Sequence, residues 1–412
     1  MTNPYPRPPA WAHEIASVGV TGTKGKSSTT HFVAAALAAD PRAEGPTARV
    51  TTVGAALLGP RNEAGEELEA PPADHAAFLT FLARLHRAGG RRAAIEATSA
   101  TLGLGFARAW PFRVGVFTNL GHDHLRTHGS VEHYLASKAQ LFLALPPGGS
   151  AVLNAGDPNA ALIAEVLPQG VRALWFAGPG RAEDRAVDLR VRALSHDWSG
   201  LRVELEARGL DLPPRLILRS LAAVQAENAA AALLAAVALG VPAACAAGAI
   251  ATSTPPPGRF EPVPGPAGGP RVIVDYAHTP EALRAVLTSA RALCKGRVCL
   301  VVGAGGDTDP SKRAPLARAA SLADELVLTS DNPRNEDPKA IVDDLCRGLP
   351  SAHPRRVELD RERAIHDAIA RSQPEDLVLI AGKGHERTQL IAGEVLPFCD
   401  REVAGRALAE RG

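Results

Sequence analysis

Two α/β units built on largely parallel sheets are predicted by this 412-residue sequence, and three observations carry that prediction. Apolar strand-like runs alternate with alanine-rich helical runs from end to end, the pattern of strands joined by covering helices. A proline- and glycine-rich tract, from Thr254-Pro-Pro-Pro-Gly258 to Pro264-Gly-Pro-Ala-Gly-Gly-Pro270, separates a helical pattern ending near Ile250 from a strand beginning at Val272, as a linker would. The length also exceeds what one hydrophobic core usually supports.

In chain order, Ile15–Val20 is an apolar run that enters a glycine-rich turn, and Phe32–Leu37 continues as helix. Further buried strands are expected at Ala93–Glu96, Val114–Thr118 and Ser150–Leu153. Val131–Phe142 has the apolar spacing of an amphipathic helix, on which Lys138 reads as a surface lysine. Residues 188–220 differ, because Leu-Arg-Val-Arg-Ala-Leu and Leu-Arg-Val-Glu-Leu-Glu-Ala alternate apolar and charged residues with period two, the mark of antiparallel strands at a sheet edge. Beyond the proline-rich tract, strands are expected at Val272–Tyr276, Val298–Val302, Glu325–Leu328 and Leu377–Ile380. The domains are therefore drawn as 1–256 and 257–412.

Composition narrows the partners. Forty-five basic residues balance 44 acidic ones, for a net charge of +1, which leaves no electrostatic footprint for nucleic acid or an anionic membrane. No unbroken apolar run of the ~18 residues of a membrane span exists, and the proline-rich start does not read as a signal peptide, so a cytoplasmic protein is expected. The five cysteines are scattered with no Cys-x-x-Cys pair, suggesting neither a disulfide framework nor a zinc site.

The segment Gly22-Thr23-Lys24-Gly25-Lys26-Ser27-Ser28 carries the most chemistry. Glycines let backbone N–H groups curl around an anion, the following helix points its positive end at it, Lys26 adds a cation and Ser27 offers a hydroxyl to Mg²⁺. The spacing is shorter than Gly-x4-Gly-Lys-[Ser/Thr], which needs a glycine at position 20, where Val20 stands. Glu96 closes the second expected strand, and His122, His124 and His128 follow the third. Both groups fall at carboxyl ends of presumed parallel strands, where ligands gather in such sheets, and they could hold a divalent cation against the phosphates.

Asn119-Leu-x-x-Asp-His124-Leu, then His128-Gly-Ser and Tyr-x3-Lys138-Ala-x-Leu-Phe, resembles the central domain of the Mur ligases, closest to the MurE type. Pro257-Gly-Arg259-Phe-Glu261, Val274-Asp275-Tyr-Ala-His278-Thr-Pro280, Gly305-Gly-Asp307-x-Asp309-x-x-Lys312-Arg313, Asp331-Asn332-Pro333-Arg334 and Ala381-Gly-Lys383-Gly-His385-Glu386 follow in that family's order. The resemblance implies a central P-loop-type ATPase domain with a mostly parallel sheet and an antiparallel edge, followed by a Rossmann-like α/β ligase domain. It implies an ATP- and Mg²⁺-dependent ligase in which a carboxylate attacks the γ-phosphate and an amine then displaces phosphate from the acyl phosphate. The Gly22–Ser28 loop would hold the β- and γ-phosphates through Gly22, Thr23, Lys24, Gly25, Lys26, Ser27 and Ser28. Ser27 and Glu96 would hold one Mg²⁺, and His124 with Lys138, the latter as a carbamate, a second. Asn228 would meet the adenine, while Arg259, Asp275, His278 and Lys312 would grip ATP from the second domain on closure. Asp331, Asn332, Arg334, Gly382 and Glu386 match positions that take the amino-acid substrate, in that family meso-diaminopimelate. The partners expected are thus an amino acid and an acyl substrate, bound by a monomer or weak oligomer.

The substrate-facing segments depart from the family pattern. Strand-like sequence begins at Ile15, so the uridine-nucleotide-binding domain that opens MurE-type chains is expected to be absent. Glu69-Ala-Pro-Pro-Ala-Asp74 stands where the family has consecutive threonines, Ala100-Thr101 where it has His-Gly, and Thr308 where an arginine usually reaches toward the amino acid. The acyl substrate could therefore be a muramyl peptide or an acidic compound without a uridine nucleotide. A folylpolyglutamate-synthetase relative shares the loop, but Asp331–Arg334 and Gly382–Glu386 argue against it. The loop is also compatible with an ATP-binding subunit without ligase activity and with a simple ATPase or kinase.

Overall fold

β1 (Ala16–Thr21) is buried along almost its whole length because it lies inside an eleven-stranded sheet covered on both faces. The computed structural model describes residues 5–60, 63, 65–68, 70–121 and 130–411. The chain divides into two compact units: Met1–Ser195, Ser199–Ser220 and Val224–Pro256 form the first, and His196–Trp198, Leu221–Ala223 and Pro257–Gly412 the second.

In the first unit, β2 (Thr47–Thr51), β3 (Gly54–Leu58), β4 (Glu66–Leu68), β5 (Arg92–Glu96), β6 (Phe112–Phe117), β7 (Ser150–Asn154), β8 (Arg172–Ala177), β9 (Leu189–Asp197), β10 (Gly200–Ala207) and β11 (Arg215–Leu218) join β1 in the order β11-β10-β9-β8-β7-β6-β1-β5-β2-β3-β4. The centre is parallel, β2 through β5, β1, β6 and β7 to β8. The period-two segment forms β9 to β11 at one edge, with β10 and β11 antiparallel. A second antiparallel edge, β2-β3-β4, is not legible in the sequence, since Gly54–Leu58 has no alternation and Glu66–Leu68 is only three residues long.

One face of this sheet carries helices Lys26–Ala38, Gln225–Ala238 and Ala243–Thr252, whose buried alanines let the helices approach closely. The other carries His75–Arg87 and Val131–Leu143. Gly19 of β1 pairs in register with Gly115 of β6. A Cβ on Gly19 would lie 2.7 Å from Leu141 Cδ1, and one on Gly115 would lie 3.0 Å from Phe142. The paired glycines therefore let helix Val131–Leu143 settle on the sheet, and Lys138 is 1% exposed, which corrects the surface placement expected from its helical spacing.

The second unit is a six-stranded sheet of β12 (Glu261–Val263), β13 (Arg271–Asp275), β14 (Val298–Val302), β15 (Glu325–Leu328), β16 (Arg355–Val357) and β17 (Leu377–Ala381) in the order β12-β13-β17-β14-β15-β16. All neighbours are parallel except β12, and a hairpin of β18 (Thr388–Ile391) and β19 (Glu394–Pro397) follows. The guanidinium of Arg361 and the carboxylate of Asp400, both fully buried, pair at 2.7 Å. Arg361 also donates to the carbonyls of Ala381, at 3.0 Å, and Ser330, at 3.3 Å, and so ties the loops that leave β15 and β17.

Two stability outcomes follow. Arg361→Met strands the Asp400 carboxylate in the interior, so urea unfolding is expected to show a loss of about 3–5 kcal/mol. Burial, with the nearby Arg49 charge, holds the His31 imidazole down at about 3, whereas an unfolded chain protonates it near ~6.5. The contribution of the neutral ring is complete above that value and is lost as pH falls toward the folded value, because the unfolded chain takes up the proton first. His31→Asn is expected to narrow the difference in urea midpoint between about pH 7 and about pH 4.5.

Candidate functional site

The turn from β1 into helix Lys26–Ala38 is held open by the end of β6. Thr23 N–H donates to the Asn119 carbonyl at 2.8 Å, and Lys24 N–H to Asn119 Oδ1 at 2.9 Å. Thr118 Oγ1 and Asn119 Nδ2 donate to the Lys24 carbonyl at 2.6 and 3.2 Å. Gly121 N–H donates to Thr23 Oγ1 at 2.9 Å. The side chains of the β6 loop thus satisfy outward-facing groups of the turn. Gly25 caps the helix in the left-handed region at φ 83°, and a Cβ there would sit 2.5 Å from Asn228 Oδ1. Only glycine meets both conditions.

Around this turn stand most of the first-unit residues expected at the site. Lys26 Nζ donates to the Thr23 carbonyl at 3.1 Å, folded back over its own loop. Ser27 Oγ donates to Glu96 Oε2 at 2.8 Å, and the backbone N–H of Thr52 donates to the same oxygen at 3.1 Å. Asn228 accepts from Thr29 Oγ1 at 3.2 Å and donates to Gln225 Oε1 at 2.9 Å, while Gln225 Nε2 donates to Ser28 Oγ at 3.2 Å. Lys138 Nζ donates to the Gly22 carbonyl at 2.8 Å and lies 4.1 Å from the centre of the Tyr134 ring. His124, with His122 and His128, lies outside the described residues.

Several contributors carry no signal in the sequence. Thr52 and Thr118 are common residue types in no recognisable motif, so their roles come from tertiary proximity alone, whereas Tyr134 belongs to the Tyr-x3-Lys138 motif but carries no site signal of its own. Asn154, at the end of β7, donates to the Thr118 carbonyl at 2.8 Å, and its side chain is 3.5 Å from Glu227 Oε2. Burial pushes the Glu227 carboxyl above its ordinary value, against the opposing effect of Arg181.

In the second unit the expected residues fall into two neighbouring groups. At the end of β13, the buried Asp275 carboxylate accepts from Phe260 N–H and Ala277 N–H, both at 2.7 Å, and so fixes the turn that carries Arg259. The Arg259 guanidinium lies 4.5 Å from the Tyr276 ring centre, and the exposed His278 ring meets Tyr276 edge-on at 4.6 Å. The helix that follows is capped by Thr279, which accepts from Ala282 N–H. Lys312 ends a single 3₁₀ turn, Pro310–Lys312.

The other group gathers at the ends of β15 and β17. Asn332 Nδ2 donates to Glu386 Oε2 at 2.8 Å, and Gly382 at φ 116° passes so near Asp331 that a Cβ would lie 2.3 Å from Asp331 Oδ2. Burial raises the Asp331 carboxyl above its usual range, opposed by the charges of Arg361 and Lys383. Arg334 has φ 54°, and its guanidinium donates to the Gly306 carbonyl at 2.5 Å, which brings it to the Gly305–Thr308 turn. Thr308 Oγ1 closes that turn on the Gly305 carbonyl at 2.8 Å, so the hydroxyl that replaces the family's arginine is spent within the loop. Asp331, Asn332, Arg334, Gly382 and Glu386 are thus brought together.

A glycine turn that leads from strand into helix on one α/β unit and a cluster of polar side chains on a second are the parts that an ATP-dependent carboxylate–amine ligase requires, and comparison with known proteins shows that class. Residues 20–236 match the Mur ligase middle domain and residues 258–384 the Mur ligase glutamate ligase domain. The chain is 41% identical over 394 residues, 95% of its length and 76% of the other's, to the UDP-N-acetylmuramoyl-L-alanyl-D-glutamate–2,6-diaminopimelate ligase of Alkalilimnicola ehrlichii. It is 38% identical to the enzyme of the same name from Synechococcus elongatus, over 97% of this chain and 78% of that one. A solved structure of a ligase of this name superposes with a TM-score of 0.65 at 29% identity, covering 96% of this chain and 79% of the other. The chain belongs to the Mur ligase family, and within it to the ATP-dependent MurE type.

Gly25→Ala tests the turn directly. A side chain there must displace Asn228 and strain the helix start, so kcat/KM for ATP is expected to fall on the order of 100-fold, the cost of losing an aligned backbone donor, in an ADP-release assay.

Proposed function

We propose that this protein joins an amine of meso-diaminopimelate to a carboxylate of UDP-N-acetylmuramoyl-L-alanyl-D-glutamate with hydrolysis of ATP to ADP and phosphate. The observation that carries this reading is the cluster of Asn332, Arg334 and Glu386, which sets a guanidinium and a carboxylate beside the same loop pair and so offers complementary partners to the separate carboxylate and ammonium of an amino-acid head group. The names of the relatives support the same substrates.

In this reading the acyl carboxylate attacks the γ-phosphorus, ADP leaves, and the amine attacks the acyl carbon and expels phosphate, losing a proton as the amide forms. The chain contributes alignment and charge. The N–H groups of the Gly22–Ser28 turn that Asn119 does not take, together with Lys26, hold the phosphates, Asn228 meets the adenine, and Arg259, Asp275, His278 and Lys312 are assigned to ATP.

Magnesium fits the donors around the turn: a serine hydroxyl and a carboxylate are hard oxygen ligands, suited to an ion that keeps several waters and shares substrate phosphates. Ser27 and Glu96 would hold it, and when bound it supplies positive charge against the phosphates. Among the described residues no group of three or more His, Cys, Asp and Glu forms a closed metal cage. His124 would contribute to a second ion. Lys138 has a carbonyl oxygen and a ring face around its ammonium, partners of a cation; as a carbamate it would exchange them for the metal.

The test is ADP and phosphate release from purified protein with Mg-ATP, bicarbonate, the UDP-muramyl dipeptide and meso-diaminopimelate, compared with an acidic dipeptide lacking the nucleotide. Release that requires both the UDP-muramyl dipeptide and the diamino acid is expected, and release without either one sinks the proposal. Arg334→Ala is expected to raise KM for diaminopimelate by about 10- to 100-fold, the worth of a charge-assisted bond, with little change for ATP.

A further inference from the structure

Lys383 belongs to the motif that led to Glu386, yet phosphate and amino acid both leave it without a task. It is 0% exposed, and an ammonium is costly to bury unless its hydrogens are taken up. Gly382 at φ 116° and Gly384 at φ 55° flank it, a backbone path that turns the side chain inward. There Nζ donates to Asn332 Oδ1 and to Glu386 Oε2, each at 2.9 Å.

The two acceptors are themselves linked. Glu386 Oε2 takes a second hydrogen bond, from Asn332 Nδ2 at 2.8 Å, and Asn332 Oδ1 takes a second from Leu390 N–H at 3.1 Å. Oε2 is thereby committed to two interior donors, whereas Oε1 has no hydrogen-bond partner among the described residues. The carboxylate cannot rotate without breaking both bonds, so its second oxygen is held in one direction. Asn332 lies two residues before Arg334, whose N–H is anchored on the Leu390 carbonyl at 2.9 Å. One buried ammonium therefore holds the acidic partner and the strand of chain that carries the basic partner.

We propose that Lys383 is a positioning residue for the amino-acid substrate: it fixes Glu386 so that Oε1 meets the ammonium of the incoming diamino acid, and fixes Asn332 so that Arg334 stays in register with it. The pairing also sets the charge of the site. With Lys383 opposite Glu386 and Arg334 standing apart, an ammonium and a carboxylate are both matched, which favours the zwitterionic end of an amino acid over a bare alkylammonium. The proposal rests on the reading of Glu386 as a contact to that substrate.

A double-mutant cycle of Lys383→Met and Glu386→Gln, assayed by ADP release in the complete reaction, separates the two. Lys383→Met is expected to raise KM for diaminopimelate by about 10- to 100-fold, the effect of misplacing a binding group by about 1 Å. KM for ATP should move less than about twofold, a split that a general structural defect would not give. In the Glu386→Gln background the same substitution should have a clearly smaller effect, since one of the two groups it positions is already lost and only the hold on Asn332 remains, and the double variant leaves no unpaired buried charge to impede folding. Equal effects of Lys383→Met in both backgrounds, or parallel rises in KM for ATP and amino acid, would overturn the proposal. An unchanged diaminopimelate KM in Glu386→Gln alone would instead overturn the reading of Glu386 beneath it. If Lys383→Met does not fold, Lys383→Gln, which keeps a donor without the charge, completes the same cycle with the same decisive outcomes.

Discussion

A parallel sheet ends in a row of backbone groups that have lost their strand partners, and where those ends lie in a crevice each group must be satisfied by a side chain or by a ligand. Both units meet this constraint with the same device, a polar side chain brought in from a neighbouring element. Thr118, Asn119 and Asn154 take up carbonyls and amides at the ends of β1 and β6, and Lys138 takes the Gly22 carbonyl. In the second unit Asp275, Arg361 and Gln389 do the same for the loops leaving β13, β15 and β17. What these side chains leave unfilled is available to substrate.

The device explains why so many of the polar residues near the site are buried. Each is costly to desolvate, and the hydrogen bonds it makes offset that cost. The Arg361–Asp400 pair sets the separation of two loops, and the Lys383–Asn332–Glu386 triangle sets the direction of one carboxylate. Rigid support of this kind is useful to a ligase that must hold an anhydride-like intermediate until an amine arrives, because alignment supplies much of the rate for such chemistry.

Departures from the family pattern have local structural readings. Thr308 satisfies its own turn instead of reaching outward, and in the proposed reading recognition of the amino acid falls on Arg334 and Glu386. Asp74, in the segment where the family has consecutive threonines, caps helix His75–Arg87 by accepting from Ala77 N–H at 2.8 Å. That carboxylate is used for folding.

The sequence by itself determined the alternation of strands and helices, the antiparallel edge at β9–β11, the phosphate turn and the order of the motifs, because periodicity, glycine placement and short motifs are local properties. Strands such as Val298–Val302 and Glu325–Leu328 lie where their apolar runs place them. The β2-β3-β4 edge escaped because short edge strands carry no periodic signal. The tertiary structure alone decided that Lys138 is buried, since that depends on Gly19 and Gly115 pairing beneath Leu141 and Phe142. It alone decided that Lys383, one of seven lysines in the chain, is the ammonium between Asn332 and Glu386. A hydrogen-bond network joins residues distant in sequence, and neither the spacing nor the identity of its members records which oxygen each hydrogen will meet.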